Sequence, residues 1–285
     1  MYLFPETPVL QKPGVDAVLD TSHPLVSQEM VLCALLAEGS GEKVFNDYAK
    51  KQPGVLQTGV PSWRGGQTGH AFSFPSTGLT EIRFTNNVRY PNDTGDPLSV
   101  VALVKFDDVT NYGSVLSVGE TNDSNHKLTF LLLNTGFMSL DDGGVANNQS
   151  APVASGIWTM VGVTHFSATR RTYAVLPYPK GKLAVNSVTA DLAAGSLILN
   201  TNPWNIGRAF TNAVADPVDM VGMIEFVYAW KKALSVDQLV SIMTSPYQIF
   251  TPPAVRRWFL PPQTVSGGNA PPPFHRSWRS FRRAN

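Results

Sequence analysis

Apolar and polar residues alternate along residues 221–230, and this alternation predicts one long β-strand. Strict alternation would place Ile224, Phe226, Tyr228 and Trp230 on one face, with Met223, Glu225, Val227 and Ala229 on the other. Few charges lie on either face, so we expect both faces to be covered at least in part. We interpret the segment as a long buried strand that closes a layered structure.

The residues after this strand predict a short helix. Apolar side chains recur there at helical spacing, at Leu234, Leu239, Ile242 and Met243. Ser235 and Gln238 match the capping-box pattern at a helix start, and Pro246 is expected to end the helix. The chain therefore turns sharply after the strand and folds an amphipathic helix back onto a sheet.

The rest of residues 21–250 consists of short apolar or alternating segments that are separated by glycine and asparagine turns. The predicted strands cover residues 30–36, 44–45, 72–74, 81–84, 98–106, 114–118, 127–134, 137–141, 158–165, 172–176, 183–188, 197–199 and 204–206. No helical period intervenes between them. The pattern therefore predicts an all-β protein, an antiparallel sandwich with one C-terminal helix.

Composition separates the two ends of the chain from this body. Residues 1–20 contain three prolines and predict an extended arm, which either adds a strand to the body or lies on a neighbouring subunit. The single cysteine, Cys33, excludes an internal disulfide and is expected to be buried. The sequence contains no apolar stretch long enough to span a membrane, and its first residues do not resemble a secretory signal.

Residues 251–285 combine seven prolines with arginines and aromatic residues, and contain no acidic residue. The whole chain has 22 basic and 21 acidic residues, so without the six arginines of this arm the rest carries a net charge of about −5. We expect the arm to bind a partner, and an acidic protein groove fits it better than nucleic acid. The predicted partner-binding residues are Arg256, Arg257, Trp258, Phe259, Phe274, Arg276, Trp278, Arg279, Phe281, Arg282 and Arg283. The alternative is that the arm covers an edge of its own sandwich.

The closing strand and helix resemble the signature of laminin G-like, concanavalin A-like jelly-roll domains. The residues that carry this resemblance are Gly222, Ile224, Glu225, Val227, Trp230, Ala233, Leu234, Ser235 and Leu239. Residues 245–250, together with the turn at 22–25, are similar to versions found in virion proteins of tailed bacteriophages. The resemblance covers residues 20–250 and implies a jelly-roll sandwich, but this fold hosts binders, enzymes and structural modules alike.

Catalytic patterns are missing from the sequence. Sugar-cleaving relatives of this fold carry an E-x-D-x-x-E pattern on one strand, and none occurs here, so we predict a protein that is not an enzyme. A glucanase-like hydrolase is the least favoured function. No cofactor is expected. Binding of Ca²⁺ remains an alternative, because such domains often bind it at one rim of the sandwich. The candidate aspartates for calcium are Asp107, Asp108, Asp123, Asp141 and Asp142.

Two functions remain open. The first is a structural or adhesion component of a phage virion, as a capsid decoration or tail-associated protein that is made in the host cytoplasm and attached through its arms. The second is a carbohydrate-binding module that recognises host surface glycans, with candidate residues Asp141, Asp142, Asn147, Asn148, Tyr178 and Trp204, of which Trp204 fits a core position better. The expected partners are other virion proteins, with a second copy or a glycan as further possibilities and no membrane.

Overall fold

A computed structural model describes residues 12–27, 29–39, 41, 43–49, 52–75, 80–84, 96–119, 127–141, 152–167, 170–189, 203–209 and 218–251. Within these ranges it contains two short helices, α1 (Pro24–Ser27) and α2 (Val236–Thr244). The strands are β1 (Met30–Ala34), β2 (Val44–Phe45), β3 (Gly54–Thr58), β4 (Trp63–Gly65), β5 (His70–Phe74), β6 (Glu81–Phe84), β7 (Leu98–Phe106), β8 (Gly113–Gly119), β9 (Lys127–Leu132), β10 (Met138–Asp141), β11 (Thr159–Ser167), β12 (Arg170–Pro177), β13 (Ala184–Thr189), β14 (Trp204–Ile206), β15 (Arg208–Ala209), β16 (Val218–Asp219) and β17 (Gly222–Trp230).

The strands form two large antiparallel sheets. The first sheet has the order β13-β12-β11-β7-β17-β5-β4, and β1 pairs with the second half of β17. The second sheet has the order β10-β9-β8-β14-β6-β3-β2, and β15 pairs with β16 as a small separate ribbon. The predicted antiparallel jelly-roll sandwich with a short C-terminal helix is therefore confirmed.

The main core lies between the two sheets, where their facing side chains interdigitate. Its largest buried members include Trp204, Phe74, Phe84 and Phe130. Gly207, between β14 and β15, has φ +87° and lies against the Phe74 ring, where a Cβ would have no space. Only glycine can therefore make this connection without displacing the ring.

A second apolar core covers the outer face of the first sheet. Phe226, Tyr228 and Trp230 of β17 point into it and are fully buried, and they meet Leu239 and Ile242 of α2. The Trp230 indole N–H donates to the Leu25 carbonyl at 2.7 Å. The layer formed by α1, α2 and the turn after α2 is therefore fixed to the sheet by packing and by a hydrogen bond.

The predicted helix is confirmed together with its cap. The Ser235 hydroxyl accepts from the Gln238 N–H at 3.2 Å, and the Gln238 side chain accepts from the Ser235 N–H at 3.0 Å. The helix ends at Thr244, two residues before Pro246. The sequence signals at both ends of α2 therefore identified its bounds correctly.

The strict alternation predicted for β17 is wrong at one position. A register shift occurs between Ile224 and Phe226, so Glu225 lies in a β-bulge. As a result Ile224 faces the inter-sheet core with Val227 and Ala229, whereas Phe226 faces the outer core. Both faces of the strand are covered, as its lack of charge predicted.

Several elements have no counterpart in the sequence prediction: α1, β3, β4, β15 and β16. The predicted strand at 197–199 lies outside the described residues. Of the predicted N-terminal arm, residues 12–20 are described, and they pack on the body. Leu19 forms an isolated antiparallel bridge with Phe250, and the Thr251 N–H donates to the Val18 carbonyl at 2.8 Å.

Candidate functional site

The outer face of the second sheet is polar, in contrast to that of the first. Its strands alternate core residues such as Ile82 and Phe84 with polar residues that point away from the core. We call this surface the polar face and define it by Glu81, Arg83, Ser114, Ser117, Thr129, Ser139 and Asn205. Because half of each strand is polar here, the surface has the chemistry of a hydrogen-bonding site.

Strand register lines several of these residues up in one row across the sheet. Arg83 lies opposite Asn205, Asn205 opposite Ser117, and Ser117 opposite Thr129. Val55 extends the row on β3, and Asp141 extends it on β10. Six neighbouring strands at about 4.8 Å spacing give the row a length of about 24 Å. Of this row, Arg83 and Val55 are partly exposed, whereas Ser117, Thr129 and Asn205 are buried.

An ion pair orders one end of the row. The Arg83 guanidinium lies 2.8 Å from the Glu81 carboxylate, and the Arg83 Nε donates to Asn205 Oδ1 at 3.3 Å. Burial raises the pKa of Glu81, and the charge of Arg83 opposes this shift. About 29% of the Arg83 side chain is exposed, whereas Glu81 is buried. Arg83 thus joins the buried part of the row to the surface.

A second ion pair lies beside the first. The Arg208 Nε is 3.5 Å from Asp219 Oδ1, and this contact joins β15 to β16. Burial raises the pKa of Asp219, and Arg208 lowers it again in part. The Ser117 hydroxyl donates to the Arg208 carbonyl at 2.7 Å. The ribbon of β15 and β16 is therefore attached to the polar face by a hydrogen bond. The ion pair between Arg208 and Asp219 connects its two strands.

Three polar atoms of the polar face are buried without a hydrogen-bond partner. They are the hydroxyl oxygens of Ser114 and Thr129 and the amide nitrogen Nδ2 of Asn205. All three residues are 0% exposed. Buried polar atoms are nearly always paired in folded proteins, and an unpaired one costs about 1–3 kcal/mol. A ligand could pair with these atoms only if what covers them moves aside.

A cleft of about 350 Å³ lies elsewhere on the body, and residues before β1 and residues between β2 and β3 line it. Its lining consists of Val15, Ala17, Val18, Leu19, Asn46, Asp47, Tyr48, Gln52 and Pro53. The Tyr48 hydroxyl donates to the Val15 carbonyl at 3.0 Å and so connects the two walls. This volume falls at the small end of the range for ligand-binding sites.

A third polar cluster surrounds Glu225 at the bulge. The Glu225 carboxylate accepts from the N–H groups of Gln67 and Thr68 and from the Thr68 hydroxyl. Gly66 leaves room for the carboxylate, because a Cβ there would overlap Oε1. The sequence offered Glu225 no neighbouring partner, and its partners come from a loop that lies 157 residues away along the chain.

Lys12 completes this cluster from the N-terminal side. Its ammonium donates to the carbonyls of Leu36, His70 and Glu225 at 2.9, 2.6 and 2.7 Å. Burial lowers the pKa of Lys12 to about 7, against the opposing effects of Glu225 and Glu38. All three ammonium donors are occupied, so Lys12 fastens the N-terminal segment to the body and is not available to a ligand.

Of the sequence-predicted carbohydrate residues, the structure describes Asp141, Tyr178 and Trp204, and these three lie in different parts of the body. Trp204 is fully buried in the inter-sheet core, so it offers no ring face to a sugar. Tyr178 lies beside the outer core of the first sheet, on the other side of the molecule from the polar face. Asp141 closes the row of the polar face by its backbone register. Asp142, Asn147 and Asn148 lie outside the described residues.

All eleven predicted partner-binding residues of the C-terminal arm also lie outside the described part of the chain. Of the calcium candidates, Asp108 is partly exposed and caps its own turn, accepting from the Thr110 N–H at 2.8 Å. Within the described ranges, no three histidine, cysteine, aspartate or glutamate side chains are grouped to hold a metal ion. No described helix has the length and apolarity to cross a bilayer.

Comparisons with known proteins identify the fold. No protein-family model matches the sequence, and no curated protein is similar to it in sequence. Among solved structures, a sialidase of Trypanosoma rangeli matches 85% of this chain and 37% of its own, with 13% identity and a TM-score of 0.53. The enzymatically active domain of tailspike protein 2 from bacteriophage CBA120 matches 67% of this chain and 30% of its own, at 12% identity and TM-score 0.48.

A carbohydrate-binding module, the CBM40 of a Ruminococcus gnavus IT-sialidase, is also similar, over 53% of this chain and 83% of its own, at 14% identity and TM-score 0.42. The chain thus spans about a third of the length of the sialidase and tailspike chains that it matches. At these identities the similarity shows the β-sandwich fold, and the laminin G-like assignment stays a prediction.

The comparisons correct one expectation. We predicted a protein that is not an enzyme because the glucanase carboxylate pattern is missing. That prediction is wrong, because the structures that share this fold include a sialidase, with a TM-score of 0.53. The pattern of one hydrolase family was too narrow a criterion, since sandwiches of this kind occur in other enzymes, and the fold alone does not decide activity.

Proposed function

We propose that this protein is a carbohydrate-recognising component of a bacteriophage virion and that it binds glycan on the polar face. The phage assignment rests on the sequence resemblance of residues 20–250. The glycan assignment rests on the chemistry of the polar face. Sugars present many hydroxyl groups, each of which donates and accepts hydrogen bonds, and they are recognised by amide, hydroxyl and charged side chains.

The observation that carries this proposal is the set of unpartnered atoms at Ser114, Thr129 and Asn205. A hydroxyl group can satisfy both the Asn205 amide, which donates, and the serine and threonine oxygens, which accept. A purely structural face would be expected to replace such residues with apolar ones, since that exchange is neutral or stabilising. Their presence on one surface is explained if a hydroxyl-rich ligand pairs with them.

Access is provided at the Arg83 end of the row. Arg83 is partly exposed, and Val55, its neighbour on β3, is 39% exposed. Because Asn205 and Thr129 are 0% exposed, a sugar would first contact Arg83 and Val55, and it would reach the deeper atoms only if what covers them moves aside. The Arg83–Glu81 pair offers both donors and acceptors at this entry, and its charges nearly cancel. The site therefore does not require a charged glycan.

A glycan array with the full chain tests the proposal, with the unmodified protein compared with Asn205→Ala and Thr129→Val. We expect both variants to lose binding of the recognised glycan about tenfold or more. Asn186→Ala, on an exposed strand of the first sheet, is the matched control and should bind normally. Repeating the array with EDTA would show whether calcium assists. The absence of binding by the folded, unmodified protein would refute the proposal.

A second function concerns the C-terminal arm. Six arginines, five aromatic residues and seven prolines in residues 251–285 favour a segment that attaches the body to other virion proteins. A chain without residues 251–285 should fold normally and no longer join the particle. Incorporation of this truncated chain at full occupancy would exclude an attachment role. Aromatic residues paired with arginines are typical anchors, so Trp258→Ala and Trp278→Ala should weaken attachment most.

A further inference from the structure

The cleft between residues 15–19 and residues 46–53 is separate from the polar face and is preformed. The Tyr48 ring packs edge-on against Phe250 at 5.8 Å between centroids, and the Tyr48 hydroxyl connects to Val15 on the opposite wall. The Val18 carbonyl accepts from the Thr251 N–H. Both walls are therefore held by bonds within the body, so a ligand would not need to order them first.

The free polar atom of the cleft is an acceptor. Gln52 Oε1 is buried and has no hydrogen-bond partner. The Tyr48 proton is already donated to Val15, and burial raises the pKa of Tyr48 to about 12, so the phenol keeps its proton at neutral pH. Asp47 Oδ1 accepts from the N–H groups of Cys33 and Ala49, both at 3.0 Å. A ligand must therefore supply an O–H or N–H donor to Gln52.

The remainder of the lining is aliphatic. Val15 and Val18 are 44% and 64% exposed, and Pro53 adds a rigid apolar surface. Among the described lining residues, Asp47 carries the charge, and it is engaged with backbone N–H groups. The cleft thus combines an apolar wall with a hydrogen-bond acceptor, and the nearby carboxylates of Asp16 and Glu38 disfavour an anionic ligand. These features favour a neutral ligand that has one apolar face and several hydroxyl donors.

We infer that this cleft is a second carbohydrate subsite, which takes one or two neutral sugar rings independently of the polar face. A hydroxyl of the sugar donates to Gln52 Oε1, and the C–H face of the ring packs on Val15, Val18 and Pro53. The Tyr48 hydroxyl is already paired with the Asn46 side chain and the Val15 carbonyl, so Gln52 is the acceptor that the cleft offers. The site goes beyond the proposed function, because it can bind sugar whether or not the polar face does.

Saturation-transfer NMR and calorimetry with maltose, lactose and cellobiose test this inference on the full chain. We expect saturation of ring C–H protons for at least one disaccharide. Gln52→Leu, which removes the acceptor and keeps the size, should lower its affinity about tenfold or more. Val18→Glu, at an exposed position, should also lower the affinity for the disaccharide, because it places a charge on the apolar wall. Asn205→Ala on the polar face should leave this binding unchanged.

The results separate the two sites. Loss of binding in Gln52→Leu alone supports the cleft, whereas loss in Asn205→Ala alone assigns the sugar to the polar face and overturns this inference. No saturation transfer from any of the three disaccharides also overturns it. Equal displacement of the sugar by acetyl-valine amide would show that the cleft is a peptide groove and would overturn it as well. Thermal unfolding of each variant verifies that it is folded.

Discussion

The two sheets differ most in the residues that occupy their outer faces. On the first sheet Phe226, Tyr228 and Trp230 are covered by an apolar layer that includes α2. On the second sheet the corresponding outward positions are held by residues such as Asn205 and Thr129, which are buried with unpartnered atoms. The first face stabilises the fold, since each large buried apolar side chain contributes about 1.5–3 kcal/mol. The second face lacks this apolar contribution to the free energy of unfolding, which is the pattern expected of a binding surface.

The largest expected effect comes from the first face. Trp230→Ala removes a fully buried indole and its hydrogen bond to Leu25, so the free energy of unfolding should fall by about 3–5 kcal/mol. Denaturant titration measures this change. Asn205→Ala on the second face should lower the free energy of unfolding by only about 1 kcal/mol. Equal losses at the two positions would remove the distinction between the faces.

The next effect depends on pH and involves Lys12, which fastens the N-terminal segment beside the bulge. Its folded-state pKa of about 7 lies below the ordinary value of 10.5, so between these values the unfolded chain holds a proton that the folded chain has lost. The free energy of unfolding should therefore rise with pH across this window, by roughly 4 kcal/mol.

The measurement compares the unmodified protein with Lys12→Met between pH 7 and pH 10, the range set by the pKa of Lys12. The difference between the two curves isolates Lys12 from the tyrosines and Cys33, which titrate in both chains. Lys43→Met, at an exposed lysine, provides the control. A flat difference for Lys12→Met would mean that its ammonium stays protonated in the folded chain.

A smaller effect is expected from the helix that covers the first face. Ser235→Ala removes the oxygen that accepts from the Gln238 N–H, so the free energy of unfolding should drop by about 1 kcal/mol. Ser235→Asp keeps an acceptor at the cap and should restore most of this loss. If both variants are as stable as the unmodified protein, packing alone holds α2 in place.

The smallest effect should have the opposite sign. Thr129→Val replaces a buried, unpartnered hydroxyl with a methyl group of similar size, so the protein should become more stable by up to about 1 kcal/mol. Thr164→Val is the matched control on the first sheet, where the hydroxyl is paired with Ser99 at 3.2 Å, and it should destabilise. Destabilisation by Thr129→Val would mean that its hydroxyl already has a structural role.

The sequence predicted those parts of the fold that depend on neighbouring residues. The capping pattern of Ser235 and Gln238 identified α2, and alternation identified most strands. It could not predict the bulge at Glu225, because the carboxylate partners Gln67 and Thr68 become neighbours only in the folded chain. These contacts of Glu225 decide which face of the sheet each later residue of β17 occupies. The alternation of apolar and polar residues within the strand gives no sign of them.

The polar face was missed for a related reason. Arg83, Ser117, Thr129 and Asn205 are far apart in the sequence, and only strand register brings them into one row. Each looks like an ordinary outward residue of a sandwich strand. A usable signal was present nevertheless: β6, β8, β9 and β14 alternate apolar with polar residues, whereas β7 and the second half of β17 are apolar on both faces.

The bridge between Leu19 and Phe250 places these two positions one strand spacing apart, about 5 Å. A unit cut at these two positions could be inserted into a surface loop of an unrelated protein without forcing that loop apart, at the loss of the Lys12 bonds to the body. It should also tolerate circular permutation, with a short linker joining these two positions and new termini opened in an exposed turn.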